Sequence, residues 1–181
     1  MAPVRILLCG DNHGDREILQ QLREKYADYD YLIHCGDSEM TPQEMEGFLF
    51  VRGNHDQYYD DSVPLRLILE IGAYRIYVCH GHKDFLRYFK YETMLENAAE
   101  AGCDTVFFGH VHTYQDTVQK GIRLLNPGSL FHNRDGRHPS YMEIVIDGED
   151  IQVKRVDVSS PSKNHGRPGF LERLLNRITG Q

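Results

Sequence analysis

The chain has 181 residues, of which 40% are hydrophobic and 26% charged, with a formal net charge of -7. That length suits one domain with a buried core, and the composition is that of an ordinary globular protein. The acidic balance argues against a general nucleic-acid binder, which needs a basic face, and no apolar run reaches the roughly 20 residues of a membrane span. The apolar stretch near the start, Ile6 to Cys9, is also too short for a secretory leader. Cys9, Cys35, Cys79 and Cys103 form no C-x-x-C pair, which argues against a zinc knuckle. They are expected to be buried reduced thiols, which favours the cytoplasm.

Along the chain, Val4 to Cys9 is a short apolar run that predicts a buried strand. Asp15 to Tyr26 follows with Ile18, Leu19 and Leu22 at helical spacing. Tyr31 to Cys35 predicts a second strand. Thr41 and Pro42 predict the N-cap and first residue of a short helix through Glu46, and Phe48 to Val51 a third strand. This βαβαβ opening implies a parallel sheet with right-handed crossovers. Leu65 to Ile71 and Tyr74 to Cys79, around Gly72 and Ala73, predict a hairpin. Glu92 to Ala101 reads as a helix stopped by Gly102, and Thr105 to Phe108 as another buried strand.

Beyond His112 come four more predicted strands: Thr113 to Val118, Ile122 to Asn126, Tyr141 to Ile146 and Ile151 to Val158. The second half is therefore expected to be mostly antiparallel, and two sheets packed face to face with helices outside satisfy both halves. Residues 1–158 read as one domain and 159–169 as a polar linker. Residues 170–181 read as an amphipathic helix whose face carries Phe170, Leu171, Leu174, Leu175 and Ile178. That face is expected to pack on the chain's own core or on a second copy.

Five clusters of metal-chemistry residues recur just after predicted strands. They are Asp11, Asn12 and His13; Asp37; Asn54, His55 and Asp56; His80; and His110 with His112. In an open sheet, ligands bind outside the carboxyl ends of the strands, so such residues converge on one edge. Gly10, Gly36, Gly53 and Gly109 precede the clusters and are expected to let the backbone turn there. Asp11 and His13 lie two apart, as do His110 and His112. In an extended segment that spacing points both side chains one way, so each pair is expected to grip one ion. The mixed oxygen and nitrogen set suits manganese first, with iron, zinc, nickel or cobalt as alternatives. Two such ions facing two carboxylates leave a positive centre for an anionic phosphate, and can lower a bound water's pKa toward about 7.

These residues resemble the pattern of the calcineurin-like metallophosphoesterases: D-x-H, G-D, G-N-H-[D/E], H and G-H-x-H. The His80, Gly81, His82 run and Asn126 to Ser129 are similar to the compact bacterial and archaeal phosphodiesterase subgroup. The resemblance runs from Val4 to about Val158 and implies a four-layer αββα sandwich, an α/β fold of two mixed sheets flanked by helices. It also implies that Asp11, His13, Asp37 and His112 hold one ion, and that Asp37, Asn54, His80 and His110 hold the other, with Asp37 bridging. A bridging water or hydroxide would attack phosphorus in line. His55 would be the catalytic histidine, with Asp56 holding its ring or serving only as a turn cap.

The implied activity is hydrolysis of a small or nucleotide-like phosphodiester. Alternatives are a phosphomonoesterase and a non-catalytic scaffold like the retromer subunit of this fold; long nucleic acid does not suit the acidic balance. His82 is expected to be a further ligand, a neighbour of the ligands or polar filler. Lys83, Arg87 and Lys90 are expected to rim the pocket or to form a solvated helix face. Tyr58 and Tyr59 are expected to wall the pocket or to pack.

Overall fold

The computed structural model describes residues 2–84 and 90–158. Strand β1 (Val4–Cys9) is central to the first sheet, with β2 (Tyr31–His34) and β3 (Leu49–Phe50) parallel on one side. On its other side lie β9 (Ser140–Asp147) and β10 (Asp150–Asp157), both antiparallel, giving the order β10-β9-β1-β2-β3. The second sheet has the order β4-β5-β6-β8-β7, formed by β4 (Arg66–Ile71), β5 (Tyr74–Cys79), β6 (Thr105–Phe108), β7 (Tyr114–Gln119) and β8 (Ile122–Pro127). Strands β5, β6 and β8 are mutually parallel. The second half is thus less antiparallel than its pattern suggested, because β8 pairs with β7 on one side and returns parallel to β6 on the other.

Three apolar clusters define four layers. Ile6, Leu8 and Ile33 of the first sheet meet Ile76, Val78 and Phe107 of the second, forming the central core. The opposite side of β1, Leu7 and Cys9, packs on Ile18, Leu19 and Leu22 of α1 (Arg16–Lys25). Helix α2 (Glu92–Glu100) places Met94, Leu95 and Ala98 on Val106 and Phe108. Strands covered on both faces carry continuous rather than alternating apolar runs, hence their clarity in the sequence. The fold is the α/β sandwich of two mixed five-stranded sheets with helices outside. No helix among the described residues is long and apolar enough to cross a membrane. All four cysteines are unpaired and buried.

The Asp15 side chain caps α1 by accepting from the Ile18 N–H at 3.2 Å, and the stop expected at Gly102 holds. Gly102, at φ 68°, ends α2, and Cys103 N–H returns to the Ala98 carbonyl. Two expectations change. Residues 41–46 form successive turns rather than an α-helix. Thr41 N–H donates to Glu44 Oε2 at 2.8 Å, a capping pair, but Gly47 at φ 88° follows too soon for propagation to offset nucleation. The third strand shrinks to Leu49–Phe50, since the chain leaves the sheet early, with Arg52 N–H bonding the Pro64 carbonyl. The segments expected as linker and amphipathic helix, 159–169 and 170–181, lie outside the described residues, as does Arg87.

Candidate metal centre

Strands β1, β2, β3, β5 and β6 are parallel within their sheets, and the candidate residues follow their carboxyl ends. The loops after β1 and β2 are stitched by Asp11 N–H to Gly36 O, His13 N–H to Asp37 O and Gly14 N–H to Ser38 O. From beneath, Ser129 Oγ donates to the Asp11 carbonyl at 2.8 Å and Asn126 Nδ2 to the Gly109 carbonyl at 2.9 Å. The turn at Asn126 to Ser129 is therefore a brace for the loops carrying Asp11 and His110.

Asp11, His13, Asp37, His110 and His112 all have positive φ, between 47° and 69°. Non-glycine residues avoid this region, and such strain persists only where the surroundings over-determine it. The expectation of extended segments fails here, and with it the pairing of His110 with His112. His112 joins Asp11 and His13 in one group, while the His110 ring lies beside His80, centroids 5.0 Å apart. The glycines also differ from expectation. Only Gly36 of the four has a positive φ. Gly53 and Gly109 are needed for space: an added Cβ would come within 2.1 Å of Asp37 Oδ1 and 2.7 Å of Asp11 Oδ2 respectively.

Two donor groups result. Asp11, His13 and His112 form one, and Asp11, Asp37 and His80 the other, so Asp11 is common to both. Asp37 lies in the second of them, beside His80. In the first group, His112 Nε2 is 3.1 Å from Asp11 Oδ1 and 3.2 Å from His13 Nε2. In the second, His80 Nε2 is 3.3 Å from Asp37 Oδ2 and 3.1 Å from Asn54 Oδ1. Two ligands each about 2.1 Å from a common ion lie about 3.0 Å apart at a right angle and about 3.4 Å apart at the tetrahedral angle. The observed separations fall in that range, so the donor set fits a pair of divalent ions.

The imidazoles are also oriented for ligation. Nδ1 of His13 faces Glu39 Oε1 at 2.8 Å, that of His80 the Cys35 carbonyl at 2.7 Å, and that of His112 the His132 carbonyl at 3.1 Å. With Nδ1 committed to these acceptors, Nε2 of each ring is the atom turned to the site.

Asp11 and Asp37 are 0% and 2% exposed. Burial alone pushes their carboxyls up, but hydrogen bonding by His112 to Asp11 and by His80 to Asp37, with the charge of His80, holds both below the usual carboxylate range. Buried ionised carboxylates need nearby positive charge, which bound metal would supply. Burial pushes the His110 and His82 imidazoles down to about 4, with the charge of His80 adding to it. His82 sits 5.4 Å from His80, centroid to centroid, and among the described residues its buried Nδ1 has no hydrogen-bond partner.

His55 is exposed, its N–H donates to Asp37 Oδ1 at 2.8 Å, and its ring stands 5.4 Å from that of His13. Asp56 does not hold that ring. Its oxygens accept from the N–H groups of Asp37, Gly53 and Glu39 and from Ser38 Oγ, tying two loops together. Tyr59 is buried with its hydroxyl 2.7 Å from Ser38 Oγ, while Tyr58 is exposed. Lys83 and Lys90 are exposed.

Sequence reasoning missed Glu39 behind His13, and His34, whose Nε2 donates to Asn12 Oδ1 at 2.9 Å while Nδ1 accepts from Gly36 N–H. His34 sits at a strand end beside Gly36, the same signal that marked the other candidates.

The family model of the calcineurin-like phosphoesterase superfamily domain matches residues 4–149. A probable metallophosphoesterase of Bacillus subtilis (strain 168), YsnB, is 31% identical, over 97% of this chain and 99% of its own length. A crystal structure of a conserved uncharacterized protein of Streptococcus pneumoniae TIGR4, described as a predicted phosphoesterase, superposes with a TM-score of 0.78. It is 30% identical, over 87% of this chain and 91% of that one. A novel archaeal phosphodiesterase shares the fold, with a TM-score of 0.63 at 20% identity over 86% of this chain and 100% of that one.

Proposed function

The chain belongs to the calcineurin-like phosphoesterase superfamily, and on that premise we propose that it hydrolyses a small or nucleotide-like phosphodiester at a paired divalent-metal centre. The observation that carries this reading is two donor groups side by side, Asp11 with His13 and His112 and Asp11 with Asp37 and His80. Asn54 and His110 complete the second group in this proposal; manganese is the first choice of metal, ahead of iron, zinc, nickel or cobalt. When bound, the ions supply Lewis acidity and acidify water for attack on phosphorus.

The protein's own part is positional. Asp56 locks the loop carrying Asp37 to the loop carrying Gly53, and the brace from Asn126 and Ser129 holds the other two loops. His55 stands exposed beside the first group, placed to give its proton to the leaving oxygen as the phosphorus–oxygen bond breaks. The fold shared with the archaeal phosphodiesterase supports a diester substrate. The net charge of -7 disfavours a long polyanion, and the four unpaired thiols suit a cytoplasmic setting.

The test is hydrolysis of bis(p-nitrophenyl) phosphate and p-nitrophenyl phosphate with manganese, with and without chelator. Faster turnover of the diester, abolished by chelator and by Asp11→Asn, is the expected result. Preference for the monoester would reassign the enzyme as a phosphomonoesterase; activity indifferent to chelator would remove the metal mechanism.

A further inference from the structure

Glu39 comes to His13 because the loops after β1 and β2 run side by side, joined from Asp11 to Gly14 by three backbone hydrogen bonds. Its Oε1 lies 2.8 Å from His13 Nδ1, and both side chains are largely shielded, 17% exposed for His13 and 18% for Glu39. On the far side of the ring, Nε2 faces His112 Nε2 at 3.2 Å. The ring is therefore held between a carboxylate at one nitrogen and the donor group at the other.

The backbone at Glu39 is itself unusual. Its φ is 53°, in the left-handed region, and its N–H is fixed by Asp56 Oδ1 at 2.8 Å. The next residue is tied as well, Met40 N–H donating to Ser38 Oγ at 3.2 Å. A glycine would take that φ without steric cost, whereas a residue with a Cβ resists it. The chain accepts the strain at a position whose side chain reaches a candidate ligand from behind.

We propose that Glu39 is a positioning residue for His13. It accepts the Nδ1–H and fixes the tautomer whose Nε2 lone pair points at Asp11 and His112. This rests on the reading that these three residues hold an ion. Removing a carboxylate behind a ligating histidine commonly weakens metal affinity about 10- to 100-fold. Glutamine keeps an acceptor oxygen at the same reach, so it preserves the tautomer.

The experiment has two arms on the full chain. In the first, ¹⁵N-labelled histidine spectra of the metal-free protein report the His13 tautomer, with His13→Ala identifying the resonance. Wild type and Glu39→Gln should show the proton at Nδ1, and Glu39→Ala a mixture or the reverse. In the second, manganese affinity is measured by competition with a chelator. Glu39→Ala should weaken one of two ions about 10- to 100-fold and Glu39→Gln less than about threefold; in the His13→Ala background, Glu39→Ala should add less than about twofold. An unchanged tautomer in Glu39→Ala overturns the proposal. So does an equal loss of affinity in both Glu39 variants, or a further loss without His13. If wild type takes up no manganese, the metal reading fails by itself, and the tautomer arm still decides the role of Glu39.

Discussion

A methyl group placed on Gly53 would lie 2.1 Å from Oδ1 of Asp37 and 2.4 Å from its backbone nitrogen. No rotamer of the Asp37 side chain relieves a clash that includes its own main chain. Gly53→Ala must therefore push the Asp37 loop away from His80. The expected outcome is a fold retained by circular dichroism, a stability loss of about 1–3 kcal/mol, and one fewer manganese ion per chain by metal analysis.

His55 and Asp56 are adjacent but act differently. His55→Ala should lower kcat about 10²- to 10³-fold while leaving metal content and melting temperature unchanged, because the ring is exposed. Asp56→Ala should destabilise the protein by about 3 kcal/mol, since it strands three backbone N–H groups inside the loop junction. Chemical denaturation and steady-state kinetics on the two variants separate the effects. A His55→Ala variant as unstable as Asp56→Ala would contradict the assignment.

Ion uptake should expel a proton. Burial disfavours the charged His80 ring, but its hydrogen bond to Asp37 and the charges of Asp11 and Asp37 outweigh burial and lift it to about 9. The metal-free ring is therefore protonated at neutral pH, and ligation needs its Nε2 lone pair. Manganese affinity should rise as pH increases toward about 9, by about tenfold per unit where one proton is released. Calorimetry at pH 7 in two buffers of different ionisation enthalpy checks this; no proton release would contradict it.

Acid should weaken the metal-free protein through His34. Burial, only partly offset by the charges of Asp56 and Asp11, pushes this ring down from 6.5 to about 4. Between those values the unfolded chain binds a proton that the folded chain refuses. The stabilising contribution is thus full above pH 6.5 and is lost as pH falls, to a total on the order of 3 kcal/mol. His82 and His110 titrate in the same window, so the comparison that isolates His34 is between variants. Urea unfolding of chelated protein at pH 7.5 and 5 should show a flatter pH slope in His34→Asn than in wild type.

What could be read in advance divides along physical lines. Strands β1, β2, β5 and β6 are covered on both faces, so their apolar runs announce them. The stop at Gly102 is a local device and was legible for that reason. Residues 41–46 carry genuine helix-start chemistry in Thr41 and Glu44, but the stop at Gly47 decides the outcome. At the site, residue types and strand-end placement were visible. The partitioning of His112 with Asp11 and His13, and of His110 with His80, came from the resemblance and not from spacing, because it depends on left-handed backbone at His110 and His112 that spacing cannot reveal. Gly53 and Gly109 look like turn glycines until Asp37 and Asp11 are seen against them. Glu39 behind His13, and Asp56 beneath Asp37, are partners distant in sequence, joined only once the loops lie side by side.

An anomalous-scattering map from crystals grown with manganese tests most directly whether these loop side chains surround two ions. Two peaks per chain are expected, one among Asp11, His13 and His112 and one at Asp37 and His80, each about 2.0–2.4 Å from its donors. A map with no peak at these side chains, at saturating manganese, would contradict that arrangement.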